Sequence, residues 1–205
     1  MRVNQDIWRG RITYRSDLVA RLTHLTGRTA ENDDEAFSLL WKILMEKKLL
    51  ASNANGYIIG NTEAVCFQEV PLSPLAENLL FEDRIKRSEK SYSWFGIRIN
   101  KGCFFIKGGM PVIYGDKEEL KKALPPTMYW RIVNLNLNDS NSIIDWTQER
   151  EWRYPGDFSF EWSDIEVVLK NHDYFNKFIN LCFVHKQENM LKQINGIITL
   201  DSVIS

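Results

Sequence analysis

The run Glu149-Arg150-Glu151-Trp152-Arg153-Tyr154, stopped at once by Pro155-Gly156, constrains this chain more than any other stretch. Its aromatic content and the Pro-Gly breaker predict a strand. Side chains alternate across a strand, which puts Glu149, Glu151 and Arg153 on one face and Arg150, Trp152 and Tyr154 on the other. Carboxylates at i and i+2 on one face repel each other. They are either solvated or held for a purpose by a cation or a set of donors. One reading is a charged edge strand with Glu/Arg pairs facing water. The other is functional: Trp146 and Trp152 flank the carboxylates and would wall them on an apolar surface.

The chain has 205 residues, enough to bury a proper core, and is expected to form a single domain, 1–205. Hydrophobic residues make up 44% and the formal net charge is -1, so affinity for nucleic acid would need a local patch. The only basic cluster is Arg84-Ile85-Lys86-Arg87-Ser88-Glu89-Lys90, at the end of an expected helix. There it suits the negative end of the helix dipole; the sharper reading is a surface for phosphates or an acidic partner. Cys66, Cys103 and Cys182 each sit in an apolar run and read as buried reduced thiols. The N-terminus lacks an apolar core of signal-peptide length, and no run is long enough to span a bilayer. A cytoplasmic protein with no membrane partner is expected.

Along the chain, Ile12–Arg15 is a possible short strand and Asp17–Thr26 the first firm one, with His24 and Thr26 on a common face. Glu35–Leu50 reads as an amphipathic helix with a stripe of Phe37, Leu40, Ile43 and Leu44. Short strands are expected at Tyr57–Gly60 and Ala64–Gln68. A helix follows to about Arg87, with Ser73 as N-cap and Pro74 as its first residue. Further strands are expected at Trp94–Ile99, Cys103–Ile106, Pro111–Tyr114, Trp130–Val133, Asp164–Leu169 and Ile197–Leu200. Helices are expected at Gly115–Leu124, Asp173–Ile179 and Gln187–Ile194. Strands after an early helical half, with hairpin-length links, predict an α+β fold rather than a regular βαβ array. The two commonest phosphate loops, the nucleophile elbow and the His-Glu-x-x-His zinc motif are all absent, and no ligand spacing supports a metal site. Cys66 with His24 is a conceivable nucleophile pair, but a structural thiol is the better reading of Ala64-Val65-Cys66-Phe67.

Taken in order, Leu22-Thr23-His24-Leu25-Thr26, the helix ending Ile43 to Ser52, Ala64-Val65-Cys66-Phe67-Gln68-Glu69, Gly109 to Tyr114 and Glu149-Arg150-Glu151-Trp152-Arg153 resemble a bacterial abortive-phage-infection (AbiGi-like) family of uncharacterised proteins. The same order is similar, more distantly, to the DarT-like branch of the ADP-ribosyltransferases. The resemblance covers roughly residues 18–170, leaving 171–205 as a C-terminal extension. One departure is Gln68, where the family pattern has serine.

The resemblance implies an ADP-ribosyltransferase-like fold, with a mixed, mostly antiparallel split sheet and flanking helices. It also implies use of NAD, as a transferase or a glycohydrolase, in phage defence or a toxin-antitoxin setting. Cleaving the glycosidic bond builds positive charge on the ribose, which a nearby carboxylate stabilises. Carried across, Glu151 is that carboxylate and Glu149 orients the acceptor or serves as its base. His24, with Thr26 beside it, holds the ribose. Tyr57 or Tyr114 stacks on the nicotinamide, and Arg153 pairs with the pyrophosphate or neutralises the carboxylates. The acceptor would be a protein or a nucleic acid. The alternative is a catalytically silent relative that binds a partner protein, such as an antitoxin. A third, weaker reading is a nucleic-acid module using Arg84, Lys86, Arg87 and Lys90.

Overall fold

A computed structural model describes residues 4–52, 57–85, 92–138, 140 and 142–204. In chain order the helices are α1 (Gln5–Tyr14), α2 (Asp33–Glu46), α3 (Leu72–Ile85), α4 (Lys101–Ile106), α5 (Lys117–Ala123), α6 (His172–Val184) and α7 (Glu188–Gln193). The strands are β1 (Arg21–Thr26), β2 (Lys48–Leu49), β3 (Ala64–Gln68), β4 (Phe95–Asn100), β5 (Met110–Pro111), β6 (Ile113–Gly115), β7 (Ile132–Asn134), β8 (Glu151–Pro155), β9 (Phe158–Ser159), β10 (Ile165–Leu169) and β11 (Gly196–Thr199). The fold is α+β and its strand pairing is mostly antiparallel.

Several segments depart from the sequence expectation for local reasons. Ile12–Tyr14 lies in α1 rather than a strand, because Asn4 accepts the Ile7 amide at 2.9 Å and opens a helix. Asn32 caps α2 in the same way, and Lys47 in the left-handed region ends that helix before Leu50. Leu72 already belongs to α3, so Ser73 and Pro74 sit inside its first turn, where a proline N–H would have no partner to lose. Cys103–Ile106 is helical in α4. The helix turns Phe104 inward alone, and Gly108, at φ 112°, follows its end. As a result Cys103 is exposed, while Cys182 is buried and Cys66 half-buried; none of the three is in a disulfide. Tyr57–Gly60 forms no strand, and Trp130 and Arg131 lie in a 3-10 turn (Pro126–Arg131) before β7. Lys86, Arg87 and Lys90 lie outside the described residues.

The chain divides into two compact units. The first comprises Met1–Lys47, Val70–Asn100 and Phe160–Ser205; the second comprises Lys48–Glu69 and Lys101–Ser159.

In the first unit the strand order is β11-β10-β4-β1, with β10 and β11 parallel and the other pairs antiparallel. Leu22, Phe95, Ile97, Ile99, Ile165 and Val167 share one face, and all are fully buried. Phe37 of α2 and Tyr174 of α6 close on Phe95, with ring centroids 5.8 and 4.7 Å away. Each such buried side chain contributes about 1.5–3 kcal/mol.

In the second unit β8 lies between β3 and β5, both antiparallel to it, with the short pairs β2–β9 and β6–β7 beside. Alternation gives β8 two unlike faces. Trp152 and Tyr154 join Phe67, Phe104 and Phe158 in an aromatic cluster, where Phe67 and Phe104 are 4.6 Å apart. Glu151 and Arg153 occupy the opposite face, beside Gln68 and Cys66 of β3.

Candidate functional site

Local chemistry decides where the two glutamates go. Asp145 accepts the Thr147 amide and hydroxyl, at 2.9 and 2.7 Å, and so opens a 3-10 turn over Thr147–Glu149. Arg150 then adopts the left-handed conformation, with φ 46° and ψ 53°. For a residue with a Cβ this costs on the order of 1 kcal/mol, a strain that persists only where the surroundings impose it. The strand begins one residue later, at Glu151. Glu149 therefore does not share a strand face with Glu151 and Arg153, as simple alternation predicts. Glu149 and Glu151 are nevertheless both buried, 8% and 7% exposed.

Arg153 holds the site together. Its Nε and Nη2 donate to the two oxygens of Glu151 at 2.7 and 3.2 Å, a bidentate clamp. Nη1 donates to the carbonyls of Trp130 at 2.7 Å and Ile132 at 3.3 Å, and Nη2 also donates to the Tyr57 carbonyl at 3.4 Å. A guanidinium has five N–H groups, and all five are used. Burial lowers the pKa of this guanidinium, but Glu151 and then Cys66 beside it together raise it above its ordinary value, so it stays charged.

Tyr114 and Cys66 complete the cluster. The Glu151 amide donates to the Tyr114 hydroxyl at 2.8 Å. Burial, reinforced by Glu151 and Glu149, raises the pKa of that hydroxyl to about 12 against the pull of the amide. The Cys66 thiol, opposite Arg153 in register, is pushed well above its ordinary range by burial and then by Glu151. It is a poor nucleophile there. Tyr114→Phe leaves the Glu151 amide without its acceptor. A loss of about 1–2 kcal/mol in a urea titration is expected.

The remaining residues expected at the site fall in other places. Tyr57 offers its carbonyl to Arg153, while its side chain belongs to the exposed large hydrophobics. His24 and Thr26 belong to β1 of the first unit, on the face carrying Phe95, Ile97 and Ile99, and the Thr26 carbonyl accepts from the Ser93 hydroxyl. Trp152 does not wall the carboxylates, because it lies on the opposite face of β8. Its indole donates to Glu69 at 2.7 Å, and Glu69 also receives Lys101. Gln68, buried and opposite Glu151 in register, is a neighbour that the sequence reading did not assign to the site. Its alternation with Phe67 is the sequence signal for it, but only the pairing of β3 with β8 gives that signal meaning. Among the described residues no group of three or more His, Cys, Asp or Glu could hold a metal ion, and no helix is long and apolar enough to cross a membrane.

No family model, curated protein or solved structure matches this chain.

Proposed function

We propose that this protein is an ADP-ribosyltransferase-like protein of the abortive-infection kind that takes NAD as substrate, with Glu151 as its key carboxylate. What supports the reading is Glu151 itself: buried, oriented at both oxygens by Arg153, and set beside Glu149 by a strained Arg150. Burying carboxylates this way is costly and marks a functional candidate. Arg153 uses one lone pair on each oxygen and the Cys66 thiol meets the same carboxylate; a carboxylate has about four acceptor sites, so capacity is left for a ribose hydroxyl. A carboxylate fixed before the reaction stabilises the oxocarbenium charge without reorganising. Arg153 is then a positioning residue that neutralises and aims Glu151, rather than a ligand of the pyrophosphate. Glu149 is assigned to the acceptor, and Tyr114, in preference to Tyr57, to the nicotinamide.

The same clamp favours a second reading. A glutamate already paired at both oxygens and only 7% exposed is also what a catalytically silent, partner-binding relative would carry.

NAD turnover and auto-modification of the wild type, measured beside Glu151→Gln and Glu149→Gln, separate the two. The enzyme reading expects Glu151→Gln to lower turnover by about 10²–10³ while thermal unfolding shows a folded protein. A wild type that neither consumes NAD at about millimolar concentration nor gains thermal stability from it leaves the partner-binding reading.

A further inference from the structure

On the first unit's sheet, Thr23, Arg98, Glu166 and Gly196 stand in one row across β1, β4, β10 and β11. They face away from the apolar side formed by Leu22, Ile97 and Val167. Arg21, two residues before Thr23, points the same way. Arg21 Nε donates to one Glu166 oxygen at 2.9 Å and Arg98 Nη1 to the other at 2.8 Å. Two guanidiniums thus share one carboxylate, which leaves excess positive charge. Burial lowers the pKa of the Arg98 guanidinium, and Arg21 beside it adds to the effect against the pull of Glu166.

Arg21 Nη1, Arg98 Nε and Thr23 Oγ1 are buried with no hydrogen-bond partner, and Thr23 is 0% exposed. Orphaned buried polar atoms are rare and each is costly. These three share one property: each has a hydrogen to give. What the cluster lacks is acceptors. A water molecule would satisfy one or two of these donors and leave the charge uncompensated, whereas an oxyanion supplies several acceptor oxygens together with negative charge. Gly196 ends the row without a side chain, and a Cβ built there would meet nothing nearer than Glu166 Cγ at 3.8 Å.

We propose that this face binds a phosphate-class oxyanion between Arg21, Arg98 and Thr23, with Glu166 holding the two guanidiniums in a donating orientation. The proposal is independent of the NAD reading, none of whose residues it uses.

The test is thermal unfolding and calorimetric titration of the full chain with inorganic phosphate and with ribose 5-phosphate, against chloride at matched ionic strength. Phosphate is expected to raise the unfolding temperature where chloride does not. Arg21→Gln should weaken the affinity at least tenfold, on the order expected for lost charge-assisted bonds. Thr23→Val keeps the shape and both arginines. It should weaken phosphate binding while raising the unfolding temperature of the anion-free protein, because an unpaired buried hydroxyl is gone. A purely structural threonine would not give that opposed pair of changes. Equal responses to the two phosphates identify the free anion as ligand, and a stronger response to ribose 5-phosphate identifies a phosphate carried on a larger molecule. The proposal fails if phosphate at about 10 mM stabilises no more than chloride, or if both variants bind it as the wild type does.

Discussion

Arg153→Met is expected to lower the unfolding free energy by about 3–5 kcal/mol, the range for removing one partner of a buried ion pair. Methionine keeps the apolar stem of the arginine and removes its guanidinium end, so the dominant loss is electrostatic. The variant leaves the Glu151 carboxylate 93% covered without its clamp, and deprives the carbonyls of Tyr57, Trp130 and Ile132 of a donor. The double variant Glu151→Gln/Arg153→Met should recover part of the loss, because a neutral amide is cheaper to bury than a carboxylate. Urea titrations of the four proteins in this cycle give the coupling. A single-variant loss below about 1 kcal/mol, or a double variant no more stable than Arg153→Met, would show that the clamp is not what holds β8 to its neighbours.

The second large effect is expected at Gly96 of β4. A Cβ there would lie 2.0 Å from the His24 carbonyl oxygen and 3.1 Å from the Leu25 Cα. Both are backbone atoms of the paired strand β1, so no side chain can move aside to make room. Gly96→Ala must therefore spread β1 from β4, lengthening ladder hydrogen bonds at a position flanked on its other side by Val168 of β10. A loss of about 3 kcal/mol or more is expected, the upper end of overpacking in a core. Circular dichroism and a chemical denaturation midpoint would measure it. A variant as stable as the wild type would mean that the two strands are not held this close.

Much of the architecture was legible because secondary structure is written in local periodicity. The spacing of Phe37, Leu40, Ile43 and Leu44 marked the buried side of α2, and all four are buried. The apolar run Ile165 to Leu169 became β10, buried on both faces except at Glu166. Alternation separated Glu151 and Arg153 from Trp152 and Tyr154, and β8 keeps that division. Local pattern failed at Cys103–Ile106, where an apolar run of four fits a strand as well as a helix. It failed again at Arg150, because nothing in a single arginine announces a left-handed backbone.

By itself, then, the sequence determined the α+β class, the buried stripe of α2, and the pairing of glutamate with arginine on one side of β8. These follow from side-chain direction over a few residues. Only the tertiary structure decided what that arginine does. Its carbonyl partners lie 21 to 96 residues away in the chain, and only the fold brings them to one guanidinium. The same holds for the three donors around Arg21, Arg98 and Thr23. Each is unremarkable in its own strand, and they meet only because β1, β4 and β10 pair in one register. Periodicity is a property of neighbours along the chain, whereas the satisfaction of a buried polar group depends on whatever the fold brings within about 3 Å of it.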